Sequence, residues 1–189
     1  LDVAGTAVTF SMLDAPAGST VYNQTFDMTD TAELLDWRMY CFSPITPKTS
    51  LLVEDLPPYS TGRLTVSIAA ATTASCGTLA VGNMVDSGEV QYGVKVGIID
   101  YSRKETDAYG VTSVTERAYA KRLECELVVM NTAVDYVTQQ LAAVRATPVV
   151  WIAGTQLNCL TAYGWARDWG VTIAYPNHSL MNLTIEGLT

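Results

Sequence analysis

The chain has little charge, almost no histidine and no closely spaced cysteines. Only 16% of its 189 residues are Asp, Glu, Lys or Arg, and His178 is the single histidine. The four cysteines include no Cys-x-x-Cys pair, so the ligand spacing of a zinc site is missing and neither a metal nor a cofactor is predicted. Cys125 falls on the apolar face of a strand pattern, which predicts a buried free thiol.

Long apolar runs and an excess of basic residues are also missing. No stretch reaches the roughly 18 apolar residues that indicate a membrane-spanning helix, so no membrane partner is predicted. Residues 1–94 carry ten acids and three bases, whereas residues 95–189 carry nine acids and eight bases. An acidic first half argues against nucleic acid as a partner, because phosphate binding needs a basic face. The asymmetry predicts two domains, residues 1–85 and residues 86–189.

Catalytic motifs are missing as well: there is no Gly-x-Ser-x-Gly, no His-Glu-x-x-His and no glycine-rich phosphate loop. Glycosidic chemistry needs two carboxyl groups in one cleft, one of them with a raised pKa. Four carboxylates are close in sequence, but the interspersed lysines and arginines would keep their pKa values low. These candidates are Asp100, Glu105, Asp107 and Glu116. His178 lies near a turn, where a surface or packing role is typical. We therefore predict that the chain is not an enzyme.

What charge there is concentrates in one segment, Lys95 to Glu126. Its 32 residues hold six of the eleven basic and six of the nineteen acidic residues. Two β-patterned runs meet across a polar tip at residues 108–110, which predicts a long hairpin. Charges of both signs suit a surface that meets another protein better than they suit a substrate pocket, although a solvated hairpin has the same pattern. The predicted interface residues are Arg103, Lys104, Glu105, Asp107, Glu116, Arg117, Lys121 and Arg122.

Short β-patterned runs broken by turns fill the first half. They predict strands at residues 3–12, 20–26, 50–54, 63–70 and 78–85, with Pro57 and Pro58 as a firm break. Strands at intervals of roughly 8–12 residues favour a small β-sandwich.

The second half predicts the order β–β–α–β–β–β. Odd positions from Leu123 to Val129 are apolar and alternate with charged ones, as in a strand with one buried face. One helix is predicted over residues 132–145, with Asn131-Thr132 as its cap. Apolar residues at odd positions 165, 169, 171, 173 and 175 are predicted to share one strand face. The predicted core joins Leu127, Val137, Leu141, Trp151 and Ile173.

Taken together, these patterns predict a mainly β protein. The second half is an antiparallel β-sandwich or split barrel with one flanking α-helix, and a small β-sandwich region precedes it.

Several distinctive segments follow one another in the second half. They are Gln91-Tyr-Gly, Gly97-Ile-Ile-Asp-Tyr-Ser-Arg-Lys-Glu-Thr-Asp-Ala-Tyr-Gly110, Glu116-Arg-Ala-Tyr-Ala-Lys-Arg122, Ala146-Thr-Pro-Val-Val-Trp151, Tyr163-Gly-Trp165, Ile173-Ala-Tyr-Pro176 and Leu183-Thr-Ile-Glu-Gly-Leu188. In this order they resemble proteins encoded in tail-tip gene clusters of long-tailed phages and prophages. The resemblance covers residues 79–189, and extends more loosely to Asp36-Trp-Arg38 and Asp55-Leu-Pro-Pro-Tyr59.

This resemblance implies a distal-tail or tail-tube-like fold and a virion structural protein assembled in the host cytoplasm. It also implies partners: copies of the chain itself, which would form a ring or hub, and other tail proteins. The alternative is a carbohydrate-binding module for host surface glycans, used in host attachment. Flat aromatic faces for sugar stacking would come from Tyr22, Trp37, Tyr40 and Tyr59.

Overall fold

A computed structural model describes residues 3–30, 36–42, 44, 46–70, 73–155 and 157–188. The protein is mainly β, with 47% strand and 11% helix, and its largest sheet is antiparallel and curled around one main helix. The predicted fold class is thereby confirmed. The chain divides into two compact units, Leu1–Leu79 and Ala80–Thr189. The described residues include no helix that is long and apolar enough to span a membrane.

The first unit is built on a three-stranded antiparallel sheet. Its elements are β1 (Val3–Ala4), β2 (Ala7–Leu13), β3 (Thr20–Asp27), β4 (Thr29–Asp30), α1 (Trp37–Phe42), β5 (Thr46–Pro47), β6 (Arg63–Ala69) and β7 (Ser75–Cys76). The strand order of the sheet is β3–β2–β6. The central strand β2 buries every second residue, as a strand with one core face does. Its core residues are Val8, Phe10 and Met12, packed with Tyr22 and Met28.

Two strands predicted in the first half are not formed. Residues 50–54 make no ladder, yet Leu51 and Val53 pack against the core, so the alternation there reflects burial without strand pairing. Residues 78–85 also make no ladder, and Leu79, Val81 and Met84 are exposed. An apolar run at these positions therefore did not indicate a buried strand.

The second unit is a six-stranded antiparallel sheet with one helix. Its elements are β8 (Glu89–Val90), β9 (Lys95–Asp100), β10 (Arg103–Thr106), β11 (Thr112–Thr115), β12 (Tyr119–Met130), α2 (Val134–Ala143), β13 (Val149–Ile152), a 3₁₀ turn (Asn158–Leu160), β14 (Thr161–Thr172) and β15 (His178–Gly187). The sheet order is β13–β14–β15–β12, and β8 and β9 both pair with the remaining edge of β12.

One core fills the space between this sheet and α2. Val137 and Leu141 of the helix pack with the odd-numbered residues 123–129 of β12 and 181–185 of β15, and Trp151 packs against the same cluster. The predicted members Leu127, Val137, Leu141 and Trp151 are confirmed. Ile173 is not a member: it lies beyond the end of β14 and is 75% exposed.

The predicted helix is confirmed, but its predicted cap is wrong. The helix starts at Val134 after Ala133, and no side chain caps it. The Asn131 side-chain amide instead donates to the carbonyl oxygens of Tyr175 and Pro176, at 3.0 and 2.8 Å. Its oxygen accepts a hydrogen bond of 2.6 Å from buried Ser179. Asn131 therefore holds the turn between β14 and β15 and cannot cap the helix.

A β-bulge in β14 changes which residues of this strand face the core, and one sequence prediction is wrong because of it. The register against β15 shifts between Ala166 and Asp168, so one extra residue is inserted. Before the bulge, even positions such as Ala162 face the core; after it, Trp169 and Val171 do. Trp165 therefore lies on the opposite face from Trp169, and the prediction that all the odd positions share one face is wrong.

Candidate assembly surface

The segment 103–115 forms an arm that leaves the sheet of the second unit. β10 and β11 pair with each other from Arg103↔Thr115 to Thr106↔Thr112, and the turn between them has Gly110 at φ 81°. A hairpin with its tip at residues 108–110 was predicted and is confirmed. Every residue of β10 and β11 is exposed. A two-stranded ribbon is only marginally stable by itself, so this arm is a candidate for stabilisation by a partner.

Side-chain hydrogen bonds fix the place where the arm leaves the sheet. Asp100 Oδ1 accepts a 2.8 Å hydrogen bond from the Ser102 N–H, and Ser102 Oγ accepts a 3.1 Å hydrogen bond from the Arg117 N–H. Hydrogen bonding from Ser102 lowers the pKa of the Asp100 carboxyl. These bonds replace ladder bonds at the junction, so the interruption between β9 and β10 has a defined geometry.

The structure brings together only some of the predicted interface residues. Arg103 Nε lies 2.7 Å from Glu105 Oε1, and Arg122 pairs with Glu124 at 2.6 Å. Both pairs are substantially exposed, so each contributes at most about 1 kcal/mol. The remaining predicted residues make no ion pair within the described part of the chain: Lys104, Asp107, Glu116, Arg117 and Lys121. Their charges are therefore available to a partner.

An open pocket of about 470 Å³ lies at the base of the arm, and no sequence pattern predicted it. Tyr101, Arg117 and Trp165 contribute to its walls, together with Glu186 and Leu188. The bulge turns the Trp165 ring to this face. The period-2 pattern of the sequence does not show the bulge, so it placed this side chain on the same face as Trp169 instead.

The Glu186 carboxylate in this pocket already has two partners within the chain. Oε1 accepts a hydrogen bond from the Tyr101 hydroxyl at 3.3 Å, and Oε2 lies 3.3 Å from Arg167 Nη1. Arg117 has no carboxylate partner among the described residues, so it is the cation that the pocket offers to an incoming group.

Beside the arm, β9 is an edge strand with exposed apolar side chains. It pairs with β12 on one side, and no described strand pairs with the other. Val96 and Ile98 are both exposed. An unprotected apolar edge is a template for pairing with another chain, and natural monomers usually cover or charge such edges. The edge and the arm thus form one continuous exposed region.

The four carboxylates considered for glycosidic hydrolysis do not line the pocket at the base of the arm. Asp100, Glu105, Asp107 and Glu116 are exposed along the arm and its base, and none of them lines the pocket. His178 stacks on Tyr175 with ring centroids 4.5 Å apart. Among the described residues no group of three or more side chains is placed to hold a metal ion.

Cys125 is buried, as predicted, and its thiol donates a hydrogen bond to the Leu183 carbonyl oxygen. Burial raises the pKa of this thiol, so the reactive thiolate is disfavoured.

The aromatic residues considered for sugar binding are in different environments. Trp37, Tyr40 and Tyr59 are exposed, whereas Tyr22 belongs to the core of the first unit. The Tyr22 hydroxyl donates to Asp55 Oδ1 at 2.8 Å and lies 3.0 Å from Gln24 Oε1. Tyr22 is therefore not available for stacking. Glycan binding through Trp37, Tyr40 and Tyr59 stays a hypothesis. Binding of the chain to a glycan array would test it.

The buried Tyr22 phenol should make the first unit sensitive to high pH. Burial, then the hydrogen bond to Asp55 and its charge, raise the pKa of Tyr22 from 10.0 to about 12. Because the folded state favours the neutral phenol, its contribution is fully present below pH 10.0 and is lost as pH rises toward about 12. Urea unfolding at increasing pH should show this extra loss in the native chain. In Tyr22→Phe the extra loss should disappear; an unchanged pH dependence would contradict the assignment.

No model of a known protein family matches the chain, and no curated protein matches it in sequence.

Proposed function

We propose that this chain is a non-enzymatic structural component of a phage tail tip. It assembles into a ring or hub through contacts with copies of itself and with other tail proteins, in the host cytoplasm, and stays in the virion tail. The observation that carries the proposal is the arm: its two strands bury no residue, yet it holds a defined hairpin with unpaired charges. The resemblance of residues 79–189 to tail-tip proteins is the reason for placing this assembly in a phage tail.

The open edge of β9 supports assembly by a second route. Val96 and Ile98 present apolar surface next to unpaired backbone groups, and pairing with another chain would cover both. Charges of both signs on the arm would set the orientation and register of the contact, because complementary charges govern specificity more than affinity. The residues considered for carbohydrate binding, by contrast, all lie in the first unit.

The experiment that tests the proposal is charge reversal on the arm. The double variant Arg103→Glu, Lys104→Glu should no longer enter phage particles, because two contacts that orient the subunit become repulsive. The fold should be unchanged by circular dichroism, since both side chains are exposed and only the exposed Arg103–Glu105 pair is lost. Incorporation is measured by immunoblotting of purified particles.

The matched control reverses two exposed arginines outside the arm, Arg63→Glu and Arg145→Glu, with the same change in net charge. This control should enter particles at the native level. If the arm variant also assembles into infectious particles at the native level, the arm is only a solvated hairpin and the proposal is wrong.

A further inference from the structure

The tip of the arm carries an exposed aromatic ring next to one negative charge. Tyr109 is 91% exposed, and Asp107 is the only charged residue in the turn 107–111. The Asp107 N–H donates to Val111 O, and the Gly110 N–H donates to Asp107 O, which closes the turn. One carboxylate oxygen of Asp107 accepts the Ala108 N–H at 2.6 Å, leaving the other oxygen free. The tip therefore presents an exposed aromatic ring and a hydrogen-bond acceptor two residues apart in one turn.

The pocket at the base of the arm has the complementary chemistry. Trp165 offers an aromatic surface, Leu188 and Ala118 add apolar wall, and Arg117 offers a cation without an acidic partner in the described chain. The pocket has a volume of about 470 Å³ and is open to solvent, so a side chain can approach it from outside. Glu186 does not repel an incoming carboxylate strongly, because Arg167 and Tyr101 already hold it.

The arm cannot reach the pocket of its own chain. Four residue pairs separate the base from the turn, which places the tip about 13 Å away at the usual rise per strand residue. The hydrogen bonds at Ser102 fix the junction. The tip of this arm can therefore meet such a pocket on another copy of the chain.

We infer that the tip of one copy docks into the base pocket of the next, with Tyr109 against Trp165 and Asp107 paired with Arg117. This inference rests on the proposed function and names the contact through which copies assemble. Tip and pocket are different surfaces, so the contact is head-to-tail and repeats from copy to copy. Such a contact closes into a ring when the rotation between neighbours allows it.

The test is a photo-cross-link from the tip in the full chain. The photoreactive residue p-benzoylphenylalanine replaces Tyr109, and isotopically heavy and light chains are mixed so that mass spectrometry identifies links between copies. Heavy–light links should map to the peptides that contain Trp165 or Leu188. The matched control places the same residue at Tyr92, another fully exposed tyrosine followed by a glycine with positive φ. Links from position 92 should not map to the pocket.

Charge variants then test the ion pair. Arg117→Asp should lower the yield of pocket links by about tenfold, as loss of a central charged contact does. Adding Asp107→Arg should restore the yield, because the charges are then exchanged. Links that map outside the pocket, a yield no higher than at position 92, or failure of the exchange to restore it would overturn the inference. Arm variants that still fail to enter particles would then leave the proposed function standing with a different contact.

Discussion

Replacing Leu141 with alanine is expected to lower the free energy of unfolding of the second unit by about 2–5 kcal/mol. Leu141 is 3% exposed and lies with Val137 in the cluster between α2 and the sheet. Truncation removes buried apolar atoms and leaves a cavity that the antiparallel sheet cannot close by moving. Urea unfolding followed by tryptophan fluorescence measures the change, because Trp151 and Trp169 pack against the same cluster.

The control for this prediction is Gln139→Ala on the same helix. Gln139 is exposed, so its replacement should change the free energy of unfolding by no more than about half a kcal/mol. A loss at Leu141 as small as that of the control would show that α2 does not pack on the sheet in the way described.

Gly164→Ala is expected to destabilise the same unit by about 3 kcal/mol, the upper part of the usual range for overpacking. Gly164 pairs with Gly187 across β14 and β15. A Cβ atom at Gly164 would overlap the carbonyl oxygen of Glu186 and lie 2.6 Å from the Cα atom of Gly187. Because these obstacles are backbone atoms, only a shift of the strands would relieve the overlap.

Gly170→Ala in the same strand is the matched control. A Cβ atom there would meet nothing within 4 Å, so this variant should unfold within about half a kcal/mol of the native chain. Thermal unfolding of both variants under one set of conditions gives the comparison. Equal stability of the two variants would mean that β14 and β15 are not as close at Gly164 as the structure shows.

The sequence was sufficient where a single local pattern decided the structure. Period-2 alternation in β12 placed Leu123, Leu127 and Val129 in the core, and a helical stripe placed Val137 and Leu141 against them. Both patterns are consequences of backbone geometry, which any tertiary arrangement must respect. Two β-patterned runs that meet at a polar tip, residues 108–110, likewise predicted the hairpin that forms the arm.

The sequence predicted one part of the candidate site, the charged arm, and not the other, the base pocket. The arm was predicted because charged residues are concentrated in its segment and scarce elsewhere in the chain. The base pocket was missed because its walls come from segments far apart in sequence, Tyr101 with Arg117 and Trp165 with Glu186. No local pattern records that β9, β14 and β15 bring these side chains together.

By itself the sequence determined the fold class, the main helix, the hairpin and most of the second core, because hydrophobic periodicity and turn residues act over a few neighbouring positions. Only the tertiary structure decided the face on which Trp165 lies, the exposure of Ile173 and the use of Asn131 at a turn. Each of these depends on a register shift, a strand end or a hydrogen bond to a distant residue. Such long-range pairing is set by the packing of the whole unit, and no short stretch of sequence specifies it.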